Sequence, residues 1–171
     1  MVRMIAAAAG FALAACSPAG GAAQEAPPAP ETGTADVALS DAGLQLTDVT
    51  VVSGENRHVF TTELALTSAE QARGMMFRNS MGKDEGMLFP SYTPQIRSFW
   101  MKNTHIALDI IFIGPDNRIT NIEAGVPYSL DSVASDGPAL AVFEIRGGLS
   151  QELGIRPGDV VEFTLPDNAS L

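Results

Sequence analysis

The chain has 171 residues, 46% of them hydrophobic, and carries a formal net charge of −10 at pH 7. This acidic balance disfavours binding to nucleic acid or to anionic lipid headgroups through a broad basic surface, because both need clustered Lys and Arg. Cys16 is the only cysteine, which excludes an intramolecular disulfide and a structural zinc site built from several thiolates.

The N-terminal segment has the layout of a secretory signal. Arg3 precedes residues 4–15, which are apolar or glycine, and small residues lead directly into Cys16. A helix of that length spans about 18 Å, too short to cross the roughly 30 Å of bilayer hydrocarbon. Leu13-Ala14-Ala15-Cys16 resembles the lipobox of bacterial lipoproteins, in which the cysteine sulfur is lipidated and the preceding residues are removed. We therefore expect a signal peptide at 1–15 and a lipid anchor at Cys16; an ordinary signal peptide or a short buried helix is the alternative.

Residues 16–36 are predicted to form a tether that begins at the lipidated Cys16. Positions 17–35 contain six alanines, four prolines and three glycines, with no hydrophobic period to bury. Such a composition cannot offset its ordering entropy, so we expect disorder and a typical reach of roughly 24 Å. Residues 37–171 are then long enough for one compact domain with its own core. The expected setting is the bacterial cell envelope, with the anchored domain facing the periplasm.

Residues 49–74 predict a β-hairpin followed by a short helix. Residues 49–53 and 58–66 are rich in β-branched side chains, and Gly54-Glu55-Asn56-Arg57 between them has the composition of a turn. Thr67-Ser68-Ala69-Glu70 has the spacing of a capping box, and Gly74 stands where a helix would end. These signals predict a helix of about two turns.

The rest of the chain predicts short strands separated by turns. Gly114-Pro115-Asp116-Asn117 marks one hairpin, and Arg156-Pro157-Gly158-Asp159 turns the chain into the last strand. The predicted strands are residues 86–89, 96–101, 108–113, 119–123, 140–145 and 160–165. This pattern favours a mainly β domain, either a small sandwich or a partly closed barrel, with one or two short helices.

Two stretches concentrate unusual side chains. The first runs Glu70-Gln71-Ala72-Arg73-Gly74-Met75-Met76-Phe77-Arg78 and then Asp84-Glu85-Gly86-Met87-Leu88-Phe89; the second is Phe99-Trp100-Met101-Lys102-Asn103-Thr104, followed by Leu108-Asp109-Ile110-Ile111-Phe112. Across residues 64–113 the chain resembles the uncharacterised bacterial and archaeal family called domain of unknown function 192. A weaker likeness follows at Phe143-Glu144-Ile145, Gly147-Gly148 and Pro157-Gly158-Asp159, whereas Ala107 departs from the family's usual proline. The resemblance implies a small, mainly β domain and supplies no activity, ligand or catalytic residue.

Asp109 and Glu144 are the most unusual carboxylates. The predicted strand of Asp109 is apolar on both alternating faces, and Glu144 shares a face with Leu140 and Val142. A buried carboxylate must be paired, hydrogen-bonded or protonated, because desolvating an unpaired charge costs several kcal/mol. The available cations are Arg73, Arg78, Lys102 and Arg146. The two carboxylates therefore predict structural ion pairs, caps on backbone N–H groups, or a cleft in which both meet a ligand.

Trp100, Asn103 and Thr104 add a flat apolar face and hydrogen-bonding groups near that predicted cleft. With Arg73, Asp109 and Glu144 they form the predicted ligand-binding set, suited to a small molecule or a sugar. The alternative is that Trp100 is core and that Asn103-Thr104 closes a turn before the next strand.

Five methionines lie within 27 residues of one another: Met75, Met76, Met81, Met87 and Met101. Thioethers are soft ligands that suit Cu(I), so Met75, Met87, Met101 and the nearby His105 are weak candidates for a copper site. The alternative is irregular core packing, since methionine is an adaptable filler. His58 and His105 lack the ligand spacing of a zinc site.

The sequence favours a membrane-tethered, non-catalytic module that binds a small molecule, sugar or envelope component, with no cofactor and no nucleic-acid partner. It has no nucleophile elbow, glycine-rich phosphate loop or metal-ligand helix. Two alternatives stay open: an extracytoplasmic enzyme with Asp109 and Glu144 as its acid–base pair, and a Cu(I)-binding protein.

Overall fold

The structure is a computed structural model that describes residues 38–166. The predicted signal peptide at 1–15, the anchor Cys16 and the tether through residue 36 lie outside the described residues. Within residues 38–166, no helix has the length and apolar character that a membrane crossing requires.

The described chain forms a large mixed sheet, a separate two-stranded sheet and two short helices. The strands are β1 (Leu46–Ser53), β2 (Asn56–Leu64), β3 (Glu85–Gln95), β4 (Ser98–Phe99), β5 (Leu108–Ile113), β6 (Ile119–Gly125), β7 (Val133–Ala134), β8 (Ala139–Arg146) and β9 (Val160–Phe163). The helices are α1 (Ser68–Arg73) and α2 (Leu149–Leu153). The mainly β class is confirmed.

The large sheet has the strand order β6-β5-β8-β3-β2-β1-β9, and β4 pairs with β7 alone. Only the β2–β3 pair is parallel among the strand pairs in residues 38–166. A single bridge between Arg118 and Val160 brings the two edges of the sheet together at one point. The sheet does not close into a barrel, so the fold is sandwich-like.

The local signals for the first hairpin and for α1 are confirmed. In the antiparallel β1–β2 pair, Val49 lies opposite Phe60. The N–H of Glu70 donates to Thr67 Oγ1 over 3.2 Å, and the N–H of Thr67 donates to Glu70 Oε2 over 2.7 Å, which completes the capping box. The helix ends at Gly74, whose φ of 46° is a conformation that glycine adopts at little cost.

Four elements differ most from the sequence prediction. Strand β3 runs from Glu85 to Gln95, well beyond the predicted 86–89. The predicted strand at 96–101 shrinks to β4, because the N–H of Met101 bonds the carbonyl of Ser129 in a loop rather than a strand partner. Strand β7 and helix α2 were not predicted. Helix α2 has five residues, and its N-cap, Gly148, offers no side-chain oxygen. A helix this short without a local cap leaves almost no pattern in the sequence.

The central strands of the sheet are covered on both faces. All six residues of β5 are buried. One core packs Val49, Phe60 and Ile111 with the helix α2, and the second packs Met87, Phe89 and neighbours against the opposite face. Successive residues of β5 and β8 therefore enter different cores, and this alternation decides where each buried carboxylate lies.

Gly86 in β3 is a position where packing tolerates no side chain. A Cβ there would lie 2.4 Å from Cε2 of Phe143, whereas one at Gly137 would meet nothing within 4 Å. We expect Gly86→Ala to lower the free energy of unfolding by about 1–3 kcal/mol through overpacking. The control Gly137→Ala should stay within about 1 kcal/mol of the wild type. Urea unfolding of all three proteins measures both effects, and equal losses would contradict this packing.

Candidate functional site

Asp109 and Glu144 lie on opposite faces of the sheet. Across the β5–β8 pair, Asp109 is opposite Ile145, and Glu144 is opposite Ile110. Directly paired residues share a face, and neighbours along a strand alternate between faces. The structure therefore does not bring the two carboxylates together, and the predicted acid–base pair has no common cleft.

The Asp109 carboxylate caps helix α2. It is 8% exposed, and its Oδ1 accepts a hydrogen bond from the N–H of Gly148 over 2.8 Å. Its Oδ2 accepts from the N–H of Ser150 over 2.7 Å. These bonds satisfy two N–H groups at the start of the helix, as an N-cap side chain would. The contacts match the backbone-capping alternative for this residue.

Glu144 is buried, and one of its carboxyl oxygens has no partner among the described residues. Glu144 is 4% exposed. It lies on β8, with Met87 of β3 on one side and Ile110 of β5 on the other. Its Oε2 accepts no hydrogen bond from any residue between 38 and 166. Burial raises the pKa of this carboxyl to about 8, because the charged form loses its hydration. At neutral pH the group is mainly protonated.

None of the four predicted cations reaches either carboxylate. Arg78 pairs with Glu63 over 2.6 Å, and Arg146 pairs with Glu152 over 2.8 Å. The ammonium of Lys102 lies 5.1 Å from the ring centre of Trp100. Arg73 forms no ion pair within the described part of the chain. The predicted ion pairs at Asp109 and Glu144 are therefore wrong.

A small cleft, here called the Glu144 cleft, brings several predicted site residues together. Its lining includes residues 71–76, which run from the last turn of α1 into the following loop. The other lining residues are Phe89 of β3, residues 99–101, Thr104 and Glu144. Its volume is about 40 Å³, room for about three water molecules. Arg73, Trp100, Thr104 and Glu144 of the predicted set line it, and Trp100 is 48% exposed.

Asn103 and Asp109 are not part of this lining. Asn103 is nearby: its carbonyl accepts from the N–H of Phe77 over 2.9 Å, and its side-chain amide lies 4.0 Å from Met76 Sδ. Asp109 is on the other face of the sheet. The cleft thus contains four of the six predicted residues.

The three buried methionines of the copper prediction share the core around Glu144. Met75, Met87 and Met101 belong to one apolar cluster, and Met75 and Met101 also line the Glu144 cleft. His105 instead lies 3.1 Å from Asn79 Oδ1 and stacks on Tyr128. Among residues 38–166, no group of three or more His, Cys, Asp or Glu is placed to hold a metal ion. Within the described part of the cleft, the thioethers and the Glu144 carboxyl are the candidate ligands for Cu(I).

Glu63 is a buried carboxylate that the sequence analysis missed. It lies opposite Met87 in the β2–β3 pair, so Glu63, Met87 and Glu144 form a row on one face. Glu63 and its partner Arg78 line a larger cleft of about 220 Å³, and Met75 lines both clefts. No local signal marks Glu63, because the preceding residues on its face, Val59 and Thr61, are exposed.

The raised pKa of Glu144 predicts a pH dependence of stability. Between pH 4.5, the ordinary pKa of a glutamate, and about pH 8, Glu144 binds more protons in the folded chain than in the unfolded chain. The contribution of Glu144 to the free energy of unfolding therefore falls as pH rises through this range. Over this pH window we expect the free energy of unfolding of the wild type to fall by on the order of 4 kcal/mol more than that of Glu144→Gln. Urea unfolding at pH 5 and pH 8 measures the difference. Parallel pH profiles for the two proteins would refute the raised pKa.

Comparison with known proteins places the chain among proteins of unknown function. The sequence model of domain of unknown function 192, described as an uncharacterized ACR, matches residues 49–163. A search of curated proteins found no match. Two solved structures, each with about 95% of its own chain covered, are similar to this chain.

The first is a protein of unknown function from Novosphingobium aromaticivorans, 52% identical with a TM-score of 0.72; the match covers 75% of this chain and 94% of that one. The second, from Sinorhizobium meliloti, is described as a proposed transcription regulator. It is 34% identical with a TM-score of 0.68, and the match covers 70% of this chain and 95% of that one. By the family match and these identities, the chain belongs to the domain of unknown function 192 family.

Proposed function

We propose that this protein is a non-catalytic binding module that holds a small molecule in the Glu144 cleft. The observation that carries the proposal is the buried Glu144 carboxyl, which lines a cleft and lacks a hydrogen-bond partner among the described residues. A buried polar group without a partner costs about 1–3 kcal/mol. A ligand that hydrogen-bonds to Glu144 removes this cost, which makes binding favourable at this position.

The surroundings of Glu144 suit a binding site. Phe89, Phe99 and Met101 provide apolar walls, while Glu144 and Arg73 are the ionisable side chains of the lining. Ligand sites typically combine an apolar surface with a few polar groups that fix orientation. One ring face of Trp100 is already in contact with Lys102, so a sugar stacked on that face would displace the lysine.

The enzyme alternative loses its main support. It rested on Asp109 and Glu144 acting together, and the β5–β8 register puts them on opposite faces. Both oxygens of Asp109 are also engaged by backbone N–H groups of α2.

A Cu(I) site is a second candidate function, favoured by the shared position of Met75, Met101 and Glu144 on one cleft. Soft thioethers select Cu(I) over harder cations. Met75 and Met101 also pack in the second core, so replacing them lowers stability whether or not they bind copper. Metal uptake, and not stability, therefore distinguishes a copper ligand from a packing residue.

We expect binding to depend on Glu144 and not on surface carboxylates. The purified domain is screened by calorimetry against amino acids, amines, monosaccharides and Cu(I). A ligand of the cleft should bind Glu144→Gln about 10- to 100-fold more weakly. The control Glu152→Gln removes an exposed carboxylate that pairs with Arg146 and should leave affinity unchanged. Equal binding by all three proteins would overturn the site, and Cu(I) uptake lost in Met101→Leu but retained in Glu144→Gln would favour the metal candidate.

We propose that the lipidated Cys16 holds this module at the membrane surface of the cell envelope. The relative described as a proposed transcription regulator does not change this proposal, because a net charge of −10 disfavours the attraction to phosphates on which DNA binding depends.

We expect Cys16→Ser to release the protein from the membrane fraction. Loss of the sulfur removes the acyl chains that would hold the domain at the bilayer. Fractionation of cells, with metabolic labelling by an alkyne fatty acid, measures both effects; Ser17→Ala is the matched control. Membrane retention and label in Cys16→Ser would contradict the anchor.

A further inference from the structure

An arginine and a buried carboxyl line the Glu144 cleft, and neither has a partner of opposite charge within the described part of the chain. Arg73 forms no ion pair within residues 38–166, and Glu144 accepts no hydrogen bond at Oε2. The two side chains are not paired with each other either, so their charged atoms are more than 4.0 Å apart. One small cleft therefore combines an exposed cation with a buried acid that a basic group of a ligand can ionise.

We propose that the ligand of this cleft is a small zwitterion of the α-amino acid class, with its ammonium on Glu144 and its carboxylate on Arg73. This inference rests on the proposed binding function and names the ligand class of the same site. The ammonium supplies the donor that Glu144 lacks, and the guanidinium is well matched to a carboxylate. Both unpaired groups are then satisfied by one molecule.

The size of the cleft fits a head group and not a whole large ligand. A volume of about 40 Å³ is small beside the roughly 300–1,000 Å³ of sites that enclose drug-sized molecules. The ammonium and carboxylate of an amino acid sit on one carbon atom and need little space. The amino acid's own side chain then extends past Trp100, which lines the cleft and is half exposed. An apolar side chain suits this rim.

The other charged groups near Glu144 do not fill these roles. Glu63 lies beyond Met87 in the same row and is already paired with Arg78. Lys102 lies over the Trp100 ring. Because Glu144 is mainly protonated at pH 7 in the empty cleft, seating an ammonium on its carboxylate releases a proton. Proton release on binding is thus a signature of an ammonium held at Glu144.

The test uses four probes that differ in charge: L-norleucine, its methyl ester, hexanoate and 1-hexanol. The ester keeps only the ammonium, hexanoate keeps only the carboxylate, and hexanol keeps neither. Calorimetry on the full domain should rank norleucine tightest, with each single-charge probe about 10- to 100-fold weaker. In two buffers of different ionisation enthalpy at pH 7, norleucine binding should release a proton from the wild type and none from Glu144→Gln.

Variants assign each charge to its residue. Glu144→Gln should weaken norleucine and the ester but spare hexanoate, whereas Arg73→Gln should weaken norleucine and hexanoate but spare the ester. Arg156→Gln, in an exposed turn, is the control for a general loss of positive charge. If no probe binds but another small molecule binds in a Glu144-dependent manner, the amino acid class is wrong and the binding function stands. If no small molecule depends on Glu144, the proposed function fails as well.

Discussion

The burial of the central strands on both faces is the constraint on which the rest of this structure depends. Strands β5 and β8 are interior strands of the sheet, with one core on each side. A polar side chain on these strands has no route to solvent through the sheet, so it must find its partner on its own face. Asp109 meets this requirement through two backbone N–H groups, whereas Oε2 of Glu144 accepts no hydrogen bond from residues 38–166.

Three buried carboxylates show how the surroundings decide the chemistry of one functional group. Asp109 accepts two backbone N–H groups and holds α2 against the sheet. Glu63 is neutralised by Arg78. Glu144 has an apolar neighbour on each adjacent strand and no ion pair with any described cation, and burial raises its pKa to about 8. Burying the Glu144 carboxyl in this way lowers the free energy of unfolding at neutral pH. Buried groups with perturbed pKa values concentrate at functional sites.

The loops beside the Glu144 cleft are held in conformations that large residues rarely adopt. Phe77, Asn103 and Tyr128 have φ values of 66°, 55° and 62°. The N–H of Phe77 bonds the carbonyl of Asn103, and the N–H of Tyr128 bonds the carbonyl of Thr104, so one loop fixes the two others. Such backbone persists where the surrounding structure over-determines it, which occurs often at ligand sites. These hydrogen bonds hold the segments that adjoin the lining residues Met76 and Thr104.

The sequence by itself determined the elements whose causes are local. The capping box at Thr67 and Glu70, the glycine stop at Gly74 and the apolar run 108–113 sufficed for α1 and β5, because capping and side-chain alternation act within a few residues. It also identified six candidate binding residues, of which Arg73, Trp100, Thr104 and Glu144 line one cleft. Only the tertiary structure decided which of these meet: the β5–β8 register separates Asp109 from Glu144, and the parallel β2–β3 pair puts Glu63 beside Met87. Register between distant strands depends on how whole faces pack, and shifting it by one residue would reverse every side chain.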